Sequence, residues 1–481
     1  MPINRIVIVG GGLAAWLSAS ALSRAFGRTI GITVVKSSYE HLPAGIDNSL
    51  GMSLTACSSG PLATQFNRYF GYDEDALIAA TRGGYTLGTV VSDWSSDGTI
   101  FNPFGEVGAT LGPVGFQQVA LRKRAIQQPI KLANYSLAAL CAQASRFAKP
   151  AADDKTVLSE LEYGLQIDVA AYAQAVKADA ISRGVVDVLS EYERTSLDES
   201  GYIDSIVTAD GNAISADFFV DCSGAARVLL SSVRSKNLWT DWSSWLRCSQ
   251  INSRVVAGGE MPQPFTHLQA RSSGLRSTIS LQSKQYEIEF LAEDAEGHKF
   301  YPGFVSGPWE RNCVAIGGAS VVADPASSLA FDLLCSGIRR LASLIPDNRH
   351  CQQEMLEFNR QSNAEAECAR DYAIAHYKLN SLGDNDFWTA CRNMQIPDSL
   401  SHRIEVYKNC GRVVMLDGET VERFNWITLF DAGGLRPAQY DVVARSLPDQ
   451  LINEHLAAIR QALLRTVASL PPYPAYLSQI Q

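Results

Sequence analysis

Residues 5–15 read RIVIVGGGLAA, and the fold of the chain turns on this stretch. Arg5 to Val9 is a short β-branched run, the kind that forms a parallel strand buried on both faces. The next six residues, GGGLAA, fit G-x-G-x-x-A, with Gly10, Gly12 and Ala15 in the three small positions. Gly10 permits a tight turn out of the strand, Gly12 lets the backbone approach a pyrophosphate, and Ala15 lets the helix pack close to the sheet. Helical apolar spacing follows at 13–26, LAAWLSASALSRAF, and IGITVV at 30–35 supplies a second strand. The helix of this β-α-β unit turns its free N–H groups and positive dipole end toward a phosphate. A dinucleotide is the expected ligand, with Leu13 and Ala14 joining Gly10, Gly12 and Ala15 in holding it.

One expected partner is absent. The second strand of such a unit usually ends in Asp or Glu, which holds the ribose hydroxyls. Here ITVV runs into Lys36, Ser37 and Ser38. Lys36 cannot accept a hydrogen bond; a cation there would suit the 2′-phosphate of NADP, but the rest of the sequence favours FAD.

Outward from this unit, the 481 residues suffice for about three domains' worth of chain at ~150 residues each. Apolar residues make up 46% and charged residues 19%, which excludes a disordered or fibrous protein. Forty-one Lys and Arg against 50 Asp and Glu leave a net charge of −9 and no basic stripe, so nucleic acid is not an expected partner. No apolar run approaches the ~20 residues of a membrane span. The opening residues enter a strand without a secretory signal, so a cytoplasmic location is expected. The ten cysteines (57, 141, 222, 248, 313, 335, 351, 368, 391 and 410) include no C-x-x-C pair and no His at ligand spacing. They read as small buried apolar residues, and no metal is expected.

A second parallel-type strand, ADFFVD at 216–221, runs into Cys222, Ser223 and Gly224. A third, NCVAI at 312–316, runs into Gly317 and Gly318, with a helix following at about 328–345. Helical patterns dominate after residue 350, at 350–380, 384–393 and 447–469, and AKPAAD at 148–153 reads as a loop. The expected organisation is an α/β core over 1–349 with interleaved substrate-binding segments, and a mostly helical region over 350–481 packed on it.

Several segments carry a family resemblance. ADFFVDCSGAARVLL (216–230) resembles a flavin-adjacent segment of flavoprotein monooxygenases. WERNCVAIGGASVVADPASSLAFDLL (309–334), FNRQSNAEAECARDYAIAHYKLN (358–380) with its "RD…HY" pattern, FWTACRNMQIPDSL (387–400) and GLRPAQYD (434–441) resemble the flavin-dependent tryptophan halogenases. The resemblance implies a GR2-type, Rossmann-like FAD-binding domain with a β-sheet substrate region and a helical C-terminal part. It also implies FAD delivered in reduced form by a separate flavin reductase. Gly317, Gly318, Ser328 and Leu329 become flavin-contacting candidates beside Gly10, Gly12, Ala15 and Lys36. In that family, reduced flavin and oxygen yield a hydroperoxide, halide attacks it, and hypohalous acid reaches a lysine beside an aromatic substrate.

The catalytic positions depart from the family pattern. Thr86, in YTLG at 85–88, stands where a lysine is expected, and Ser327, in DPASSL at 324–329, stands for a glutamate. The W-x-W-x-I-P signature finds its best match in LRSTIS at 275–280, which keeps only Ile279. Asn102 replaces a histidine in the FNPFG stretch. Thr86 and Ser327 donate and accept hydrogen bonds but carry no charge to direct an electrophilic halogen. The expected reaction is therefore direct oxygen transfer from reduced flavin and O2 to an aromatic, indole-like group, either a small molecule or a tryptophan in a partner protein. Two alternatives stay open: a tryptophan or indole halogenase with non-standard catalytic residues, for which Lys36 is the nearest cation to a flavin loop, and a degenerate flavoprotein that only binds. A homodimer is also left open.

Trp94, Phe101, Asn102 and Phe104 are the candidates for the substrate pocket, the aromatic rings offering stacking surfaces. His376 reads as a helix-packing or capping residue. His41 lies in a loop expected to pass the flavin. Asp47, Asn48 and Ser49 are polar loop residues placed between the flavin and substrate sites. Asp221 either meets cofactor hydroxyls or caps the end of its strand.

Overall fold

β1 (Arg5–Val9) and β2 (Gly31–Ser37) pair in parallel, with Arg5 opposite Gly31 and Val9 opposite Val35. On its other side β1 pairs in parallel with the strand Phe218–Asp221, which in turn pairs with Cys313–Ala315. Val186–Leu197 joins the far edge of β2, again in parallel. These strands form the centre of an eight-stranded sheet whose antiparallel additions lie only at its two ends. All three glycine turns anticipated from the sequence therefore leave neighbouring strands of one sheet at the same, C-terminal end, where such sheets bind their ligands. The computed structural model describes residues 3–37, 45–96, 98–150, 156–234, 239–256, 261–347, 352–382 and 385–480.

The helix α1 occupies Leu13–Phe26, as its spacing predicts, and eleven of its residues from Leu13 to Ser23 are buried. Its small alanines and serines allow this close packing. Gly10 has φ +151°, and a Cβ there would lie 2.6 Å from the Cys222 carbonyl oxygen, so the turn out of β1 requires glycine.

A second sheet of seven strands carries Gly88–Ser95 and Gly98–Pro103 at one edge, with Gly88–Ser95 parallel to Thr266–Arg271. The LRSTIS match falls on the strand Gly274–Ser280 of this sheet. Beyond residue 352 every described regular element is a helix, beginning with the 27-residue Gln352–Lys378. That long helix packs against Ala330–Leu344 and against the turn Pro325–Ser327. The architecture agrees with the expected α/β fold, its sheet-built middle and its helical C-terminal part.

Nine of the ten cysteines are described, all as thiols and eight of them buried, in keeping with their reading as core residues; Cys351 lies outside the described residues. Among the described residues no helix is long and apolar enough to cross a membrane.

Candidate functional site

The glycine turn and α1 place two backbone donors where a phosphate is expected, and the chain fills that place with its own oxygens. Leu13 N–H donates to Asp47 Oδ2 at 2.7 Å, and Ala14 N–H donates to Ser49 Oγ at 2.9 Å. Asp47 Oδ1 accepts in turn from the Ser49 N–H and hydroxyl. Residues 47 and 54 exchange backbone hydrogen bonds, closing the segment into a small clasp. The clasp reaches the other glycine turns as well. Gly318 N–H donates to the Ser49 carbonyl at 2.8 Å, and a Cβ on Gly317 would lie 3.0 Å from that same oxygen. A Cβ on Gly224 would lie 3.1 Å from the Asn48 carbonyl. Gly12, Gly224, Gly317 and Gly318, far apart in sequence, thus surround one short segment.

These residues fit the diphosphate of a dinucleotide. A helix N-terminus offers two amides to an oxyanion; here one of them holds the Asp47 carboxylate and the other the Ser49 hydroxyl. Gly12 has no room for a Cβ beside that carboxylate; one would come within 2.9 Å of Ser49 Cβ. FAD held at this place would use the same amides.

Two predicted contacts resolve differently. Lys36 is half exposed at 49% of its side chain and lies 3.8 Å from Glu191 on the neighbouring strand, a loose surface pair. Asp221 is a strand-end cap rather than a group facing hydroxyls of a ligand. Its carboxylate is fully buried and accepts from Ser223 N–H and Oγ, Leu229 N–H and Leu230 N–H at 2.6–3.0 Å. Those four bonds consume its lone pairs. Burial nonetheless pushes its carboxyl above the ordinary range.

The turn 324–329 follows Gly317–Gly318. Asp324 caps it by accepting from Ala326 N–H at 2.8 Å, and Ser327 Oγ donates back to the Asp324 carbonyl at 2.6 Å. Ser328 sits at φ +56°, in the left-handed region. Pro325, Ser328 and Ala330 line a narrow cavity of about 40 Å³ together with Met52, Cys57 and Ile279. Ile279 is the one residue that LRSTIS keeps from the family signature.

Thr86 is buried, and its hydroxyl donates to the Gly88 carbonyl at 3.0 Å. The Phe104 N–H donates to the Leu87 carbonyl, and Gly88 pairs with Pro103, so Thr86 and the 101–104 stretch are neighbours. Asn102 donates to Tyr372 OH at 2.7 Å and accepts from Asn425 at 3.0 Å. Trp94 is a core residue, buried, with its indole N–H on the His376 carbonyl at 2.7 Å. Phe101 packs edge-on against Phe265. Immediately beyond Phe104, residues Glu106–Thr110 open on a cavity of about 660 Å³, lined also by Phe116, Met415, Arg423 and Phe424.

The helix Gln352–Lys378 links these places. Tyr372 bonds Asn102, His376 receives Trp94, and Tyr377 lies 3.1 Å and 3.2 Å from the two Asp324 oxygens. His376 is the packing residue its sequence suggested: it is buried, with Nδ1 2.9 Å from the Tyr372 carbonyl, and burial pushes its imidazole down to about 4. Sequence reading passed over Tyr372, Tyr377 and Asn425. The "RD…HY" pattern was the available signal, since it places Tyr372 and Tyr377 on one helix beside two candidate segments. His41 lies outside the described residues.

Comparison with known proteins gives a consistent result. The sequence profile of the family described as "Tryptophan halogenase" matches residues 5–287 and 283–449. The tryptophan 7-halogenase KtzQ of Kutzneria is 24% identical over 99% of this chain and 98% of its own. Among solved structures, BrvH, a flavin-dependent halogenase from Brevundimonas, superposes with TM-score 0.91 at 29% identity, covering 100% of this chain and 99% of that one. A flavin-dependent halogenase from Xanthomonas campestris has TM-score 0.91 at 28% identity, with the same coverage.

Proposed function

The chain belongs to the tryptophan halogenase family, and on that premise we propose that it is an FAD-dependent oxidoreductase that oxygenates an aromatic, indole-like substrate directly. When bound in its reduced form, FAD would supply the two electrons that activate O2, so that one oxygen atom would replace a ring hydrogen with hydroxyl and the other would leave as water. Reduced FAD comes from a separate flavin reductase.

The amides of Leu13 and Ala14 would hold the diphosphate, and the turn of Gly317 and Gly318, packed on Ser49 and Gly51, would lie on the flavin side. Met52, Ile279 and Pro325 give the cavity beside that turn a mainly apolar lining, with Ser58, Ser277 and Ser328 among them. The 660 Å³ cavity that opens at Glu106–Thr110 has the size of a small-molecule site and an aromatic wall in Phe116 and Phe424, although Trp94, Phe101, Asn102 and Phe104 do not line it. We assign the substrate to it.

The observation that carries direct oxygenation over halogenation is the state of Thr86 and Ser327. Both hydroxyls are spent on carbonyls of their own turns, and neither residue carries charge. A halogenase reading is favoured by a different observation, the whole-chain similarity to two flavin-dependent halogenases at 28–29% identity.

Mass spectrometry separates them. The protein is supplied with FAD, a reductase, 18O2 and an indole panel that includes free tryptophan and a tryptophan-containing peptide, with and without bromide. Direct oxygenation yields an 18O-labelled product in both conditions, and free tryptophan gains no halogen. A bromine-bearing product, formed only with bromide, establishes the halogenase reading instead.

A further inference from the structure

We infer that Asp47 is a built-in competitor for the FAD diphosphate and sets how tightly this chain holds its cofactor. The inference rests on the FAD reading above. An anion at a helix N-terminus is stabilised by the amides and the dipole, and the effect is greatest where the amides are buried. Leu13 and Ala14 are fully buried, and their N–H groups already have partners in Asp47 Oδ2 and Ser49 Oγ. Each amide has one hydrogen to give, so a diphosphate oxygen can take it only after the carboxylate or hydroxyl has left. Leaving both in place would also set a carboxylate against a phosphate in a buried space, which is strongly unfavourable.

The clasp has a specific construction. Asp47 is held by its own Ser49 hydroxyl and by reciprocal backbone bonds with Leu54, and Gly51 N–H closes a turn on the Asn48 carbonyl at 2.7 Å. Gly51 at φ +81° meets Val322, and Gly318 leaves no room for a Cβ against the Gly51 backbone. The segment is thus seated on both flavin-side turns through glycines. FAD entry moves Asp47 and Ser49 off α1, and the apparent affinity is the intrinsic affinity reduced by the fraction of chains with the clasp open.

The test is equilibrium titration, by flavin fluorescence and by calorimetry, of the whole protein with FAD and separately with ADP, which carries the diphosphate without the flavin. The parent is compared with Asp47→Ala, Asp47→Asn and Ser49→Ala. Asp47→Asn keeps an oxygen for the Leu13 amide, and so guards against loss of fold, while removing the charge. We expect Asp47→Ala to lower the Kd for FAD at least tenfold, Asp47→Asn to lower it less, and ADP to follow the same order. Tighter binding of FAD but not of ADP would place the effect at the flavin end and overturn the diphosphate assignment. Equal or weaker binding of both ligands by a folded Asp47→Asn protein overturns the competitor role while leaving the FAD reading intact. Failure of FAD and ADP to bind the parent and every variant overturns the FAD reading, and the competitor role with it.

Discussion

The Tyr377 hydroxyl lies 3.1 Å and 3.2 Å from the two carboxylate oxygens of Asp324, joining the long C-terminal helix to the turn beside the glycine pair Gly317–Gly318. Both residues are buried. The contact matters because Asp324 caps the turn whose Pro325 and Ser328 wall the narrow cavity, and Tyr377 is the helix's grip on that cap. The two residues lie 53 positions apart in the chain.

Tyr377→Phe leaves a buried carboxyl with one fewer donor and little change of shape. The expected cost is about 1–3 kcal/mol of stability. Urea unfolding read by tryptophan fluorescence measures it, and an unchanged midpoint would show that the hydroxyl does not hold the turn.

Burial pushes Asp324 up to about 7, against the lowering effect of its bonds from Ala326 and Tyr377. Asp332, which accepts from Gly60 and Ala63 amides, is likewise raised to about 7 by burial. Between the ordinary carboxyl value and 7 the folded chain binds protons that the unfolded chain does not, so these groups make stability fall as pH rises through that window. His376, lowered by burial to about 4, has the opposite slope between there and its ordinary value of 6.5. The difference between variant and parent isolates one group. Asp324→Asn should gain stability relative to the parent from about pH 4 to pH 7 and stay level above it. A pH-independent difference in melting temperature would contradict the shift.

Asp221→Ala removes an acceptor shared by four donors and leaves the Leu229 and Leu230 amides unpaired in the core. The expected loss is about 3 kcal/mol or more, in the range of broken buried networks. Asp221→Asn should cost less and, once folded, bind FAD as the parent does. Weaker FAD binding by folded Asp221→Asn would return this residue to the cofactor site.

Gly12→Val places two methyl groups where Asp47 now meets the helix terminus. FAD affinity should fall at least a hundredfold. Asp47→Ala in the same chain should not restore it, since the branched side chain rather than the carboxylate then fills the cradle. Unchanged FAD titration of Gly12→Val would remove the diphosphate from α1.

Local rules made the β-α-β unit readable. A β-branched run, three small residues at fixed spacing and a helical stripe sufficed to place β1, α1 within Leu13–Phe26 and β2. The long C-terminal helices were legible for the same reason, because a sustained 3.6-residue period needs no partner to be recognised. The strands of the seven-stranded sheet were harder to read. Gly88–Ser95 pairs with Thr266–Arg271, nearly 180 residues away, and no short window of sequence contains that pairing.

The candidate site divides along the same line. Its backbone elements, Gly10, Gly12 and Gly317–Gly318, belong to motifs, because a close backbone approach demands glycine whatever surrounds it. Its side-chain contacts do not. The sequence around Asp221 suits a cofactor ligand and a strand-end cap equally, and the amides of Leu229 and Leu230 take its oxygens. Lys36 turned out to face Glu191.

By itself, then, the sequence determined the family, the glycine turn between β1 and α1 and the absence of charge at Thr86 and Ser327, since these depend only on which residue occupies a position. Only the tertiary structure decided that Asp47 and Ser49 occupy the amides of α1 and that Tyr377 holds Asp324. Those contacts depend on where a polar side chain finds its partner once water is excluded, and the partner stands 34 or more residues away along the chain.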